Sequence, residues 1–221
     1  LNVMYGNAFV QTPAEELGVI DFEKQNEEYA RATLHYLRGR DRCLKALNGR
    51  HPGFTNAMFS QNPDTIQKAC KALDKNDVDA CYWAAAGWRA AFSLDPLNGD
   101  YVSNLTAPVS ILEAACALDK NYSGGAIYEL LCQFYSAAPT EFGGNPERAL
   151  ACYHAALGVP EGKNPGTYIL YAKTFCIPNN DEAGFVEALN KAISINPDDN
   201  PGSRLMTTIN QRAAKKLLQS K

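Results

Sequence analysis

Asn-Pro occurs five times in this chain, at Asn62-Pro63, Asn145-Pro146, Asn164-Pro165, Asn196-Pro197 and Asn200-Pro201. This punctuation constrains the fold more than any other feature. Asparagine is a good helix N-cap, and proline suits the first helical turn. Asn145-Pro146-Glu147 and Asn164-Pro165 therefore read as helix starts. Thr12, Pro13, Ala14 and Glu15 have capping-box spacing. Proline also stops helices, and Pro52, Pro96, Pro160 and Pro197 each follow an Ala-rich apolar run.

Between these marks the apolar residues recur with a helical period. Ile127, Leu130, Leu131 and Phe134 fall at i, i+3, i+4 and i+7, as do Ala149, Cys152, Tyr153 and Ala156, and Phe185, Ala188, Leu189 and Ala192. No sustained alternation suggests a sheet. The pattern predicts helices over 13–48, with a break near Gly39, and over 63–74, 78–94, 105–119, 124–137, 146–158, 165–176, 180–195 and 201–219.

The helices also repeat. The run from Ala188 through Ala192 to Pro197 resembles the second helix of a tetratricopeptide repeat, and Ala149 through Ala155 to Pro160 restates it 37 residues earlier. Weaker copies end at Pro96, at Asp119 and near Pro52. Two helices approach closely only where Ala, Gly or Cys lies between them, and large residues such as Phe134, Tyr153 and Phe185 then fill the outer layer. The expected fold is all-α: stacked antiparallel hairpins in a tetratricopeptide-like right-handed superhelix. The alternative is a helical bundle without repeats. The organisation is a single domain over 1–221, with N-terminal helices in 1–60, hairpins in 61–200 and a capping helix in 201–221. In that cap Leu205, Ile209, Ala213 and Leu217 are expected to face inward.

Composition narrows the function. The net charge is -3, and Lys and Arg are scattered, so no basic stripe for nucleic acid exists. The cations of the last helix, Arg212, Lys215, Lys216 and Lys221, read as a solvated face. No run of about 18 apolar residues is present for a membrane span. The chain opens at Leu1, and no secretory signal is visible. Seven cysteines form no C-x-x-C and read as buried thiols, with one disulfide left open.

Catalytic constellations are missing too. Asn121 stands where a nucleophile elbow around Ser123 needs glycine, and no phosphate loop or dinucleotide fingerprint occurs. His35, His51 and His154 lack ligand-spaced partners, so no metal is expected. Asp74, Asp77 and Asp79 read as solvated turn residues. Asn104-Leu105-Thr106 and Asn121-Tyr122-Ser123 match a glycosylation pattern that chance also produces. No enzyme and no cofactor are expected.

Aromatics are the one enriched feature that suits a ligand groove or an interface. The candidates are Tyr82, Trp83, Trp88, Tyr128, Tyr135, Tyr168 and Tyr171. Packing between helices is the competing reading.

Tyr82, Trp83 and Trp88, the run Leu37 to Asp41, the turn His51-Pro52-Gly53-Phe54, and then Leu118, Asp119, Tyr122 and Gly125-Ala126-Ile127 together resemble the T component of certain TRAP transporters. The likeness extends from about residue 30 to 196. It implies a tetratricopeptide-like bacterial periplasmic lipoprotein that partners the periplasmic solute-binding subunit of an ion-gradient-driven uptake system. It also implies a homo-trimer. The signal and lipid-bearing Cys of that family are not in this chain, and Tyr128 stands where the pattern has His. The function expected is an accessory, non-enzymatic one: docking the solute-binding protein and binding or passing an apolar small ligand. The alternative is a generic tetratricopeptide scaffold for a peptide or protein partner.

Overall fold

A computed structural model describes residues 1–137, 140 and 143–219. The described residues form helices and turns, with no strand among them, so the fold is all-α. The chain divides into two compact units, Leu1–Lys120 and Asn121–Lys221.

The first unit is organised by its longest helix. It contains α1 (Asn2–Tyr5), α2 (Thr12–Glu15), α3 (Phe22–Arg50), α4 (Phe54–Met58), α5 (Pro63–Cys70), α6 (Val78–Leu94), α7 (Gly99–Ser103) and α8 (Thr106–Leu118). Asp21 starts α3, its carboxylate accepting from the Lys24 N–H at 3.0 Å. Helix α3 packs mainly on α6, and α6 packs in turn on α8. Ala32, Tyr36, Gly39, Leu44 and Leu47 form its buried stripe.

Helix α3 runs unbroken through Gly39, against the expected break. The glycine is there for close approach: a Cβ on Gly39 would come within 2.6 Å of Val3 Cγ2. Gly87 serves the facing helix in the same way, since a Cβ there would lie 2.7 Å from the Tyr36 carbonyl oxygen. The backbones of α3 and α6 therefore meet with nothing but hydrogen between them. The other early expectation also changes. Thr12 lies inside a run of helical backbone and makes no side-chain cap, because a wide turn over Gly6–Gln11 already leads into α2.

Asp77 corrects the reading of the 74–79 turn as solvated. It is 1% exposed. It accepts from Arg50 and, across 2.8 Å, contacts His51 Nε2. The Asp74 N–H also donates to it at 2.9 Å, and Asp74 takes the other arm of Arg50 at 2.7 Å. The end of α3 is thus tied to the turn before α6. The missed signal was spatial: the partners lie 26 and 27 residues away.

The second unit contains α9 (Ala126–Ala137), α10 (Pro146–Gly158), α11 (Pro165–Tyr171), α12 (Glu182–Ser194) and α13 (Arg204–Gln219). A wide turn over Ala172–Cys176 extends α11. Asn145 and Asn164 cap α10 and α11 as their Asn-Pro pairs predict, accepting from Arg148 N and Gly166 N. Helix α9 packs on α10, and α11, α12 and α13 pack on one another.

Helix α13 is rotated from the expected register. Leu205 and Ile209 are exposed, and Ala213 is exposed as well. Thr207 and Ala214 are buried instead, with Leu217 and Leu218 against the core. A polar contact fixes that rotation. The Gln211 amide donates to the carbonyls of Ile193 and Ile195, at 2.9 and 2.6 Å, where α12 ends with unpaired acceptors.

All seven cysteines are free thiols, with Cys70, Cys81, Cys132 and Cys176 buried.

Candidate functional site

The aromatic candidates separate into three environments. Trp88 is core: 1% exposed, it stacks near Phe59, and the Arg40 guanidinium lies over both rings at 5.1 and 5.2 Å. Tyr135 is core as well, with Arg148 over its ring at 4.3 Å. Tyr82 and Trp83 meet edge to face at 5.1 Å on α6, and Trp83 is half-buried against the Val3, Val10 and Tyr36 cluster. Tyr128 is half-buried on α9.

Tyr168 and Tyr171 do converge. They stand at i and i+3 on α11 and line a cavity of about 620 Å³ together with Tyr153 and His154 of α10 and Asp181, Glu187 and Lys191 around α12. The Tyr153 and Tyr171 rings stack at 4.7 Å, and Phe175 backs both at 6.1 and 5.3 Å. Burial pushes the Tyr153 hydroxyl up to about 12, with Tyr168 and Tyr171 adding to the shift. The Tyr153 phenol is therefore neutral at physiological pH.

The charged rim is held by local bonds. Asp181 Oδ1 accepts from the Gly184 N–H at 2.8 Å and starts α12. Glu187 pairs with Lys191 at 2.7 Å across one turn, which holds the ammonium above its ordinary value. Both are more than half exposed, so the pair shapes the rim without adding much stability.

A residue behind the wall sets the position of α11. Glu129 on α9 accepts two hydrogen bonds on one oxygen, from Asn164 Nδ2 at 2.9 Å and Thr167 Oγ1 at 2.6 Å. Asn164 caps α11 and Thr167 lies in its first turn, so this clamp orients the helix that carries Tyr168 and Tyr171. Burial raises the Glu129 carboxyl, and the Thr167 hydroxyl opposes that rise. Sequence reasoning missed Glu129 and gave Tyr153 a place in the outer packing layer, outside the candidate set. Glu129 was visible as the single charged residue of α9.

Nothing in this arrangement resembles a nucleophile with its base. Among the described residues no group of three or more His, Cys, Asp or Glu could hold a metal ion. No described helix is long and apolar enough to cross a membrane.

The sequence model of the TRAP transporter T-component family matches residues 1–221. The chain belongs to the TRAP transporter T-component family. It is also 40% identical over 215 residues to an uncharacterized protein of Treponema pallidum (strain Nichols), a match that covers 97% of this chain and 67% of that protein. As a T-component, the chain is an accessory part of a TRAP transport system and associates with a TRAP transporter. T-component membership also fits a periplasmic or membrane-associated location.

Proposed function

We propose that this T-component is non-enzymatic, docks the periplasmic solute-binding subunit of its transporter, and binds or passes an apolar small ligand along its tyrosine-walled cavity. The observation that carries the ligand reading is the convergence of Tyr153, Tyr168 and Tyr171 on one space of about 620 Å³. That volume suits a small molecule, and stacked phenols offer apolar faces with hydroxyl tips. Family membership across the whole chain supports the partner. The same reading includes a tetratricopeptide-like stack, a homo-trimer and a lipid-anchored periplasmic form of the full-length protein.

Native co-purification tests the docking. The full-length protein, tagged in its own bacterium, should bring down a TRAP-type solute-binding protein in stoichiometric amount by mass spectrometry. Recovery of unrelated proteins alone would leave family membership intact and remove the docking role. For the cavity, Tyr171→Ala should cut the yield of co-purified small apolar molecules while the helical circular dichroism stays unchanged.

A further inference from the structure

Between Arg38 and Arg50, helix α3 carries five cations and one acid, Asp41. Arg50 is spent on Asp74 and Asp77, and Arg38 and Arg42 stand exposed. Arg40 differs from all of them. Its side chain is only 12% exposed, yet it ends in open space. The rings of Phe59 and Trp88 hold the guanidinium from one side, and Asp41 accepts from its Nε at 2.8 Å. Nη1 and Nη2 are left over. Neither has a hydrogen-bond partner among the described residues, and neither is sealed from solvent.

Arg40 lines a cleft of about 550 Å³ between α3 and α4, together with Asp41, Lys45, Asn48, Thr55 and Phe59. That volume is in the range of small-molecule sites. Asn48 Oδ1 accepts from the Thr55 N–H at 3.2 Å, so the amide nitrogen is the group that Asn48 can offer a ligand. Phe59 stays 40% exposed although Arg40 lies over its ring, which leaves apolar surface beside the donors. The lining holds two cations, Arg40 and Lys45, against the one carboxylate of Asp41. One positive charge is therefore unmatched.

We propose that this cleft binds the carboxylate of an amphipathic small molecule, with Arg40 as its anchor and the apolar part of the ligand on Phe59. The two free nitrogens of a planar guanidinium match the two oxygens of a carboxylate, and the surplus of one charge matches a monoanion. Lys45 adds attraction from the same wall. The two rings already fix the guanidinium, so little freedom is lost when the anion arrives. The site lies in the first unit and does not rest on the tyrosine-walled cavity of the second.

Trp88 lies beneath Arg40, so its emission reports on the site. The probe is 4-phenylbutyrate, titrated into the whole protein, with 4-phenylbutanol as the uncharged control. Wild type should show a saturable emission change with the acid, and the alcohol should bind at least about tenfold more weakly. Arg40→Lys keeps the charge and loses the fork, so it should weaken the acid at least about tenfold. Lys45→Glu reverses an exposed charge in the lining and should weaken it at least about fivefold. Lys24→Glu makes the same change in net charge near the start of α3, outside the cleft, and should bind as wild type does. Circular dichroism checks the fold of each variant; if Arg40→Lys does not fold, Lys45→Glu against Lys24→Glu decides. The proposal is overturned if wild type does not respond to 4-phenylbutyrate, if the alcohol binds equally well, if a folded Arg40→Lys binds as wild type does, or if Lys45→Glu binds no more weakly than Lys24→Glu.

Discussion

Asp77 in the first unit and Glu129 in the second are both carboxylates drawn into helix packing, but their partners differ in kind. Asp77 meets Arg50 and His51 together with a backbone N–H. Among the described residues, Glu129 meets the neutral donors of Asn164 and Thr167. The first arrangement matches the charge it buries. The second leaves the charge unmatched, and burial accordingly raises the carboxyl of Glu129. Asp77 is therefore a tie between α3 and the turn before α6. Glu129 is a clamp whose strength depends on its proton. The comparison teaches that the donor set, more than depth, decides how far the charge of a buried acid is met.

Removing the ionic tie tests the comparison hardest. Asp77→Ala should cost about 2–3 kcal/mol, below the roughly 3–5 of a fully buried pair, because Arg50 keeps access to water. Urea unfolding followed by circular dichroism measures this, and a loss under about 1 kcal/mol would show that the tie is ornamental. Asn164→Ala comes next. It deletes both a helix cap and a donor to Glu129, so about 1–2 kcal/mol is expected by the same method. A near-zero change would mean that α11 is placed by its apolar contacts alone.

The smallest effect is the sharpest. Glu129→Gln keeps the acceptor oxygen and cannot ionise, so at low pH it should match wild type within about 1 kcal/mol. A carboxyl raised in the folded state contributes stability below its ordinary value of 4.5 and loses that contribution as pH rises through its folded value. The variant escapes that loss. Its urea midpoint relative to wild type should therefore climb from pH 4 to pH 7. A constant offset across that range would mean that Glu129 does not titrate differently on folding.

The helices were legible because their signals are local. Asn145 and Asn164 announce α10 and α11 through their own side chains, and the stripe of Phe185, Ala188, Leu189 and Ala192 is buried as spaced. What failed depends on neighbours distant in sequence. Gly39 reads as a breaker until Val3 is seen against it. The face of α13 was drawn from Leu205 and Ile209, whereas Gln211 turns the helix by reaching the end of α12. The aromatic set shows the same division. Tyr168 and Tyr171 share a cavity because their spacing is helical and local. Trp88 and Tyr135 belong to packing that their sequence neighbours do not reveal. The one charge on α9, Glu129, was the overlooked signal.

The buried thiols divide between the units, with Cys70 and Cys81 in the first and Cys132 and Cys176 in the second. Burial pushes Cys70 and Cys132 up to about 12, so little of the reactive thiolate form exists in the closed state. A thiol reagent meets the fully buried Cys81 of the first unit and Cys132 of the second only in the moments when their helices part. Its reaction rate therefore counts those openings, and each half of the chain carries its own internal clock of local unfolding.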